Sequence, residues 1–115
     1  MTFWLKSGDL KPSITAVLTD SNGDPVDING AEVTFVVSDA FSRLPLFQAL
    51  AENDQSGPTT NVGEVHYDWV LGDTDIPGSY RCEFSVSFAD DTIGTFPNDD
   101  TIDLEIIPAM VEASS

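Results

Sequence analysis

From Tyr80 to Phe88 every second residue is apolar: Tyr80, Cys82, Phe84, Val86 and Phe88 alternate with Arg81, Glu83, Ser85 and Ser87. A period of two places all five on one side of an extended chain, whereas a helix would scatter them around its axis. The segment is therefore expected to be a strand with one side in a core. The same alternation recurs in Ile14, Ala16 and Leu18, in Val33, Phe35 and Val37, in Val65, Tyr67, Trp69 and Leu71, and in Ile102, Leu104 and Ile106. Clusters of Gly, Pro, Asn and Asp separate these runs every ten or so residues, the spacing of an all-β sandwich or barrel. No segment carries a 3.6-residue period, and there is no internal repeat.

Further strands are expected at Phe3 to Lys6, at Leu44 to Ala51, and at Thr92 to Phe96. Pro45 sets the start of the second of these at a sheet edge, because proline cannot donate to a ladder. Asn22-Gly23, inside "DSNGDP", is a hairpin signal, since both residues accept positive φ. The longest polar stretch, "ENDQSGPTTNVG" from Glu52 to Gly63, is expected to be a mobile loop. The sum is an antiparallel sandwich of seven to eight strands and no helix. At 115 residues the chain is one domain, with the sandwich over 1–108 and a tail over 109–115.

Charge restricts the partners. Twenty acidic residues against four basic ones give a net charge of −16. That balance argues against nucleic acid, whose binding depends on cations meeting phosphate, and against anionic membrane surfaces. Aspartate far outnumbers glutamate, which fits a salty habitat as well as an ordinary acidic protein. No run approaches the ~20 apolar residues of a membrane span, and "MTFWLKSGD" lacks the pattern of a signal peptide. The one cysteine, Cys82, leaves no intrachain disulfide.

Candidate sites are few. Asp75, Gly78, Tyr80 and Cys82 stand in the order D-x-x-G-x-Y-x-C. In immunoglobulin-type sandwiches a Tyr two residues before a buried Cys forms a corner, its hydroxyl bonding backbone upstream. Trp69 is a natural core anchor beside it, and Cys82 a small buried hydrophobe. A calcium site would need several oxygens to converge. Asp73 and Asp75 offer two, and Asn98, Asp99 and Asp100 more if the loops meet. Asp20, Asn22 and Asp24 alternate as in an EF-hand, but Pro25 and Ala31 stand where glycine and the bidentate glutamate are required. These loops are read as solvated turns, with no metal and no cofactor. His66 is the sole histidine, expected on the outward face of a strand and so unable to share zinc with an inward Cys82. No nucleophile motif accompanies it, and no pair among the carboxylates stands out as a hydrolase pair. The chain is therefore not expected to be an enzyme.

Four motifs taken together carry a resemblance. They are Gly8-Asp9, the hairpin from Asp20 to Ala31 (D-x-N-G-x-P-V-D-x-x-G-A), Tyr67 to Tyr80 (Y-x-W, then G-D-T-D-x-P-G-x-Y), and Phe96 to Asp99 (F-P-N-D). The chain resembles small virion proteins of tailed phages and prophages, which are similar to the N-terminal immunoglobulin-like domain of phage baseplate upper proteins. The match covers nearly the whole chain and is poorest between Ala40 and Gly63. It implies a structural protein of the virion, assembled in the host cytoplasm and docked in multiple copies on baseplate, tail, neck or capsid proteins. Baseplate upper proteins continue into long C-terminal regions that carry receptor-binding subunits, whereas this sequence runs to a single module. The docking candidates are Phe3, Trp4 and Leu5 and the C-terminal "IIPAMVEASS", with a cap on the sandwich core as the other role open to Trp4. The alternative is a secreted or cell-surface immunoglobulin-like module that recognises carbohydrate or protein.

Overall fold

The alternating stripe around Cys82 forms β7 (Gly78–Ser87), the longest strand, with partners on both sides. In the computed structural model, which describes residues 2–96 and 102–108, β3 (Glu32–Asp39) runs antiparallel along one side of β7. Along the other side β8 (Ile93–Phe96) and β9 (Ile102–Ile107) lie in succession. Phe96 faces Phe84, yet Ile102, six residues later, faces Cys82, only two residues earlier. The final strand is thus split. At one edge β1 (Thr2–Lys6) pairs with β9, and at the other β4 (Pro45–Leu50) pairs with β3.

The second sheet is smaller: β2 (Ile14–Val17), β6 (Glu64–Tyr67) and β5 (Glu52–Asn53), in the order β2-β6-β5. The orders are those of an immunoglobulin-like sandwich. Strands in the C, C′, F and G positions form one sheet, and those in the B, D and E positions form the other. Two details differ from the sequence expectation. β1 joins β9 in parallel, so the sheet is not wholly antiparallel. Nine strands form among the described residues because β5, two polar residues long, has no alternation by which to recognise it.

The two sheets meet through rings. Phe35 of β3 stacks on Tyr67 of β6 at 4.6 Å between centroids, and Trp69 meets its edge at 5.6 Å. Phe84 closes the cluster at 5.1 Å from Phe35. Full burial of such a side chain contributes roughly 1.5–3 kcal/mol. Ile14, Leu18, Val33, Val37, Cys82 and Leu104 fill the space around it. Leu71, expected inward, is instead 87% exposed. The strand stops at Tyr67 because Asp73 folds the chain back: its carboxylate accepts from the Tyr67 hydroxyl (2.6 Å) and the Val70 amide (2.9 Å).

The polar stretch expected to be mobile is a joint. Gln55 is buried, and its Oε1 accepts from the amides of Ile28 (2.8 Å) and Gly63 (3.2 Å). Its Nε2 donates to Asp27 and to the Gly57 carbonyl, both at 2.8 Å. Asn53 donates to the carbonyls of Ile28 and Ala31. Gly63 lies where the two loops cross, at φ 78°, and a Cβ there would sit 2.7 Å from the Leu18 carbonyl oxygen. Gly23 has a similar φ of 86° but open space around it. Gly63→Ala is therefore expected to lower unfolding free energy in urea by more than about 2 kcal/mol, and Gly23→Ala by about half as much. Equal losses at the two positions would show that backbone strain alone, without the crossing, sets the cost.

Candidate functional site

The acidic corner that invites a calcium reading is a structural junction. Tyr80 donates to the Ile76 carbonyl at 2.6 Å, two residues ahead of buried Cys82, which is the tyrosine corner expected from the spacing. Thr74 is fully buried and donates to the Asp9 carbonyl at 2.9 Å, while the Gly8 amide donates to Thr74 at 3.0 Å. Ser7 bonds the Asp75 carbonyl at 2.7 Å. The Gly8-Asp9 and G-D-T-D motifs therefore clasp each other. The Asp20 carboxylate is likewise turned onto its own loop, accepting from the amides of Asn22 (2.8 Å) and Asp24 (3.1 Å). Among the described residues no three His, Cys, Asp or Glu side chains gather as metal ligands. Asn98, Asp99 and Asp100 lie outside the described residues.

His66, expected as an ordinary exposed imidazole, is half-buried between two carboxylates. Its Nδ1 lies 2.7 Å from Asp54, and its Nε2 lies 3.4 Å from Asp68. Asp54 holds its pKa above the usual imidazole value of 6.5, against the opposing effect of partial burial, and Asp68 adds to the rise. The Ser13 hydroxyl donates to Asp68, which keeps that carboxyl below its ordinary range. Ser13 bonds the Asp68 carboxylate and not the imidazole, so the arrangement is a histidine held between two carboxylates and not a serine–histidine pair. Burial pushes the Cys82 thiol up to about 12, far from reactive.

The expected docking residues divide. Leu5 belongs to the core, and Phe3 leans on Trp69 at 6.2 Å. Alternation along β1 sends both inward, and only Trp4, 61% exposed, faces out. Of "IIPAMVEASS", Ile106 is buried and Ile107 exposed, while 109–115 lies outside the described residues.

A different surface stands out. Among the described residues, seven of the eleven exposed large hydrophobics fall in two short segments: Phe41, Leu44, Leu46 and Leu50, and Val70, Leu71 and Ile76. The first segment is the β3–β4 hairpin. Asp39 fixes its tip by accepting from the amides of Phe41 (2.8 Å) and Ser42 (2.9 Å), and Phe41 projects from that tip 86% exposed. The second segment is the corner loop. The two face each other across a groove with two cavities, one of about 170 Å³ walled by Leu46, Phe47 and Ile76, and one of about 210 Å³ walled by Ala49, Leu50 and Val70. Among the described residues, the only charged side chains lining these cavities are Asp73, Glu52 and Asp68. The proline places the start of 44–51 at an edge, but the exposure of Leu44, Leu46 and Leu50 is not part of that expectation. The signal was there: no charged residue occurs from Leu44 to Ala51 in a chain this acidic.

No protein-family model and no curated protein matches the chain. Among solved structures it is similar to the crystal structure of CopC from Methylosinus trichosporium OB3b, at 13% identity and a TM-score of 0.49. The similarity covers 91% of this chain and 82% of that one. At that identity and score it says nothing about function.

Two measurements probe these contacts. Tyr80→Phe, which removes the corner hydrogen bond and little else, should cost about 1 kcal/mol in urea denaturation. A loss near zero would mean that water satisfies the Ile76 carbonyl equally well. The raised pKa of His66 means that its ion pairs stabilise the fold fully below about pH 6.5 and less as pH rises through the folded-state value. Melting temperature should therefore decline between about pH 6 and 8, and His66→Gln should flatten that decline.

Proposed function

We propose that the chain is a structural module of a tailed-phage particle, an immunoglobulin-like sandwich that works by docking on neighbouring particle proteins and catalyses nothing. The observation that carries this reading is the largely apolar groove between the β3–β4 hairpin and the corner loop, lined by few charged side chains in a molecule of net charge −16. Exposed apolar surface of this kind, with an aromatic at its tip and polar groups at its rim, is the anatomy of a protein interface. The sequence motifs behind the resemblance support it from another side. Gly8-Asp9, the corner loop and the Asp20 hairpin are all occupied in holding loops together. That is what a rigid building block requires, and it leaves the groove to make the contact.

A carbohydrate-binding role would draw on the polar depression beside Phe88, lined by Asp27, Asn29, Asp90 and Thr92. Both aspartates there already accept internal hydrogen bonds, Asp27 from Asn29 and Gln55 and Asp90 from Thr92. The docking reading is therefore preferred. Quantitative mass spectrometry of purified particles should find the chain in fixed ratio to the other structural proteins, and its absence from washed particles would end the proposal.

A further inference from the structure

The groove has an open strand along one wall. β4 pairs with β3 on one side, and its other edge has no strand partner among the described residues. The amide of Ala51 donates to the Val33 carbonyl at 2.9 Å. Because main-chain groups alternate in direction along a strand, Ala49 also turns its groups toward β3, and Gln48 and Leu50 turn theirs outward. Natural edge strands are protected by charge, by proline or by a bulge that turns them aside. β4 has Pro45 and a bulge at its start, between Val37 and Ser38 of the partner strand. From Phe47 to Leu50 nothing among the described residues guards it.

We propose that this edge of β4 accepts an extended strand from a partner protein, with alternate apolar residues and with lysine or arginine on its flanks. The inference rests on the docking role proposed above. Strand addition satisfies the outward amides and carbonyls with main-chain bonds, and pockets for alternate side chains supply the specificity. The two cavities provide those pockets. They open beside Phe47 and beside Ala49 and Ala51 on the inward side of β4, two to four positions apart, or ~7–13 Å along a strand. Apolar side chains two or four residues apart on the incoming segment would enter them.

Charge decides the flanks and excludes a second copy. Asp73 lines one cavity, Glu52 and Asp68 line the other, and no lysine or arginine lines either. Two copies joined edge to edge would bring these carboxylates together in a pair already carrying −16 on each member, and like charges facing each other destabilise a pairing. A basic flank removes that repulsion and speeds encounter.

The test uses two synthetic peptides with the same core of about six alternating valines and threonines. One is flanked by lysine pairs and the other by glutamate pairs. Titrated into the isotope-labelled full chain, the lysine-flanked peptide should shift the amides of Gln48 and Leu50 and the methyls of Leu46 and Val70, and should bind more weakly as salt rises. The glutamate-flanked peptide should shift none of these. Gln48→Pro removes an amide that the β3–β4 ladder does not use, and should weaken binding at least about tenfold. Leu50→Lys, which leaves the backbone unchanged, should weaken it as well. Equal binding of both peptides, shifts confined to β1, no shift with either, or a dimer in sedimentation that Leu50→Lys abolishes would each overturn the proposal. A chain present in particles but indifferent to both peptides refutes strand addition alone. A chain that binds the lysine-flanked peptide but is absent from particles refutes the particle role alone.

Discussion

The contact of Phe35 with Tyr67 and Trp69 is what makes this chain a sandwich. The smaller sheet has strands of only four, four and two residues, too little to persist by itself. It is held because Tyr67 and Trp69 place two rings against Phe35 of the larger sheet, one stacked and one edge-on. The polar ends of those rings then position the loops. The Tyr67 hydroxyl bonds Asp73 in the corner, and the Trp69 indole donates to the Pro12 carbonyl at 3.1 Å. Core and corner are in this sense one structure, and the groove wall formed by Val70 and Ile76 inherits its position from the buried rings.

The fold also accounts for the excess of aspartate over glutamate. Asp20, Asp27, Asp39, Asp73 and Asp90 each accept hydrogen bonds from backbone amides within a few residues. An aspartate side chain is the right length for such turns, and a glutamate is one methylene too long. These bonds favour the ionised form: the backbone amide of Asn29, joined by the side-chain amide of Gln55, lowers Asp27, and the backbone amides of Ser42 and Phe41 lower Asp39. Five of the twenty acidic residues are thus part of how the chain makes its corners.

Most of the architecture was legible in the sequence because alternation of period two has one physical meaning. The inward stripes of β2, β3, β6, β7 and β9 were read correctly down to Val33, Phe84 and Leu104, and Tyr-x-Cys gave the corner. Local pattern failed where long-range partners decide. Leu71 continues the alternation but not the strand, since Asp73 turns the chain first. Gln55 looks like loop composition until Ile28, Asp27 and Gly63 converge on it. Phe3 and Leu5 looked available because a short terminal segment carries no sign of its neighbour, and β9 supplies that neighbour from the far end of the sequence. The groove escaped for the same reason. It exists only because β4 and the corner loop, about twenty-five residues apart in sequence, lie side by side.

That pairing of β1 with β9 bears on how the protein is made. β1 can complete its hydrogen bonds only with a strand about a hundred residues further along the sequence, and contacts this distant in sequence form late and at an entropic cost. Until β9 has been made, β1 has no strand to pair with, so the emerging chain shows water an apolar segment around Leu5 that the folded molecule hides. Closure of the larger sheet at this edge has to wait for β9, and a ribosome that stalls short of Ile102 releases a product with an unsealed flank, a substrate for chaperones and proteases.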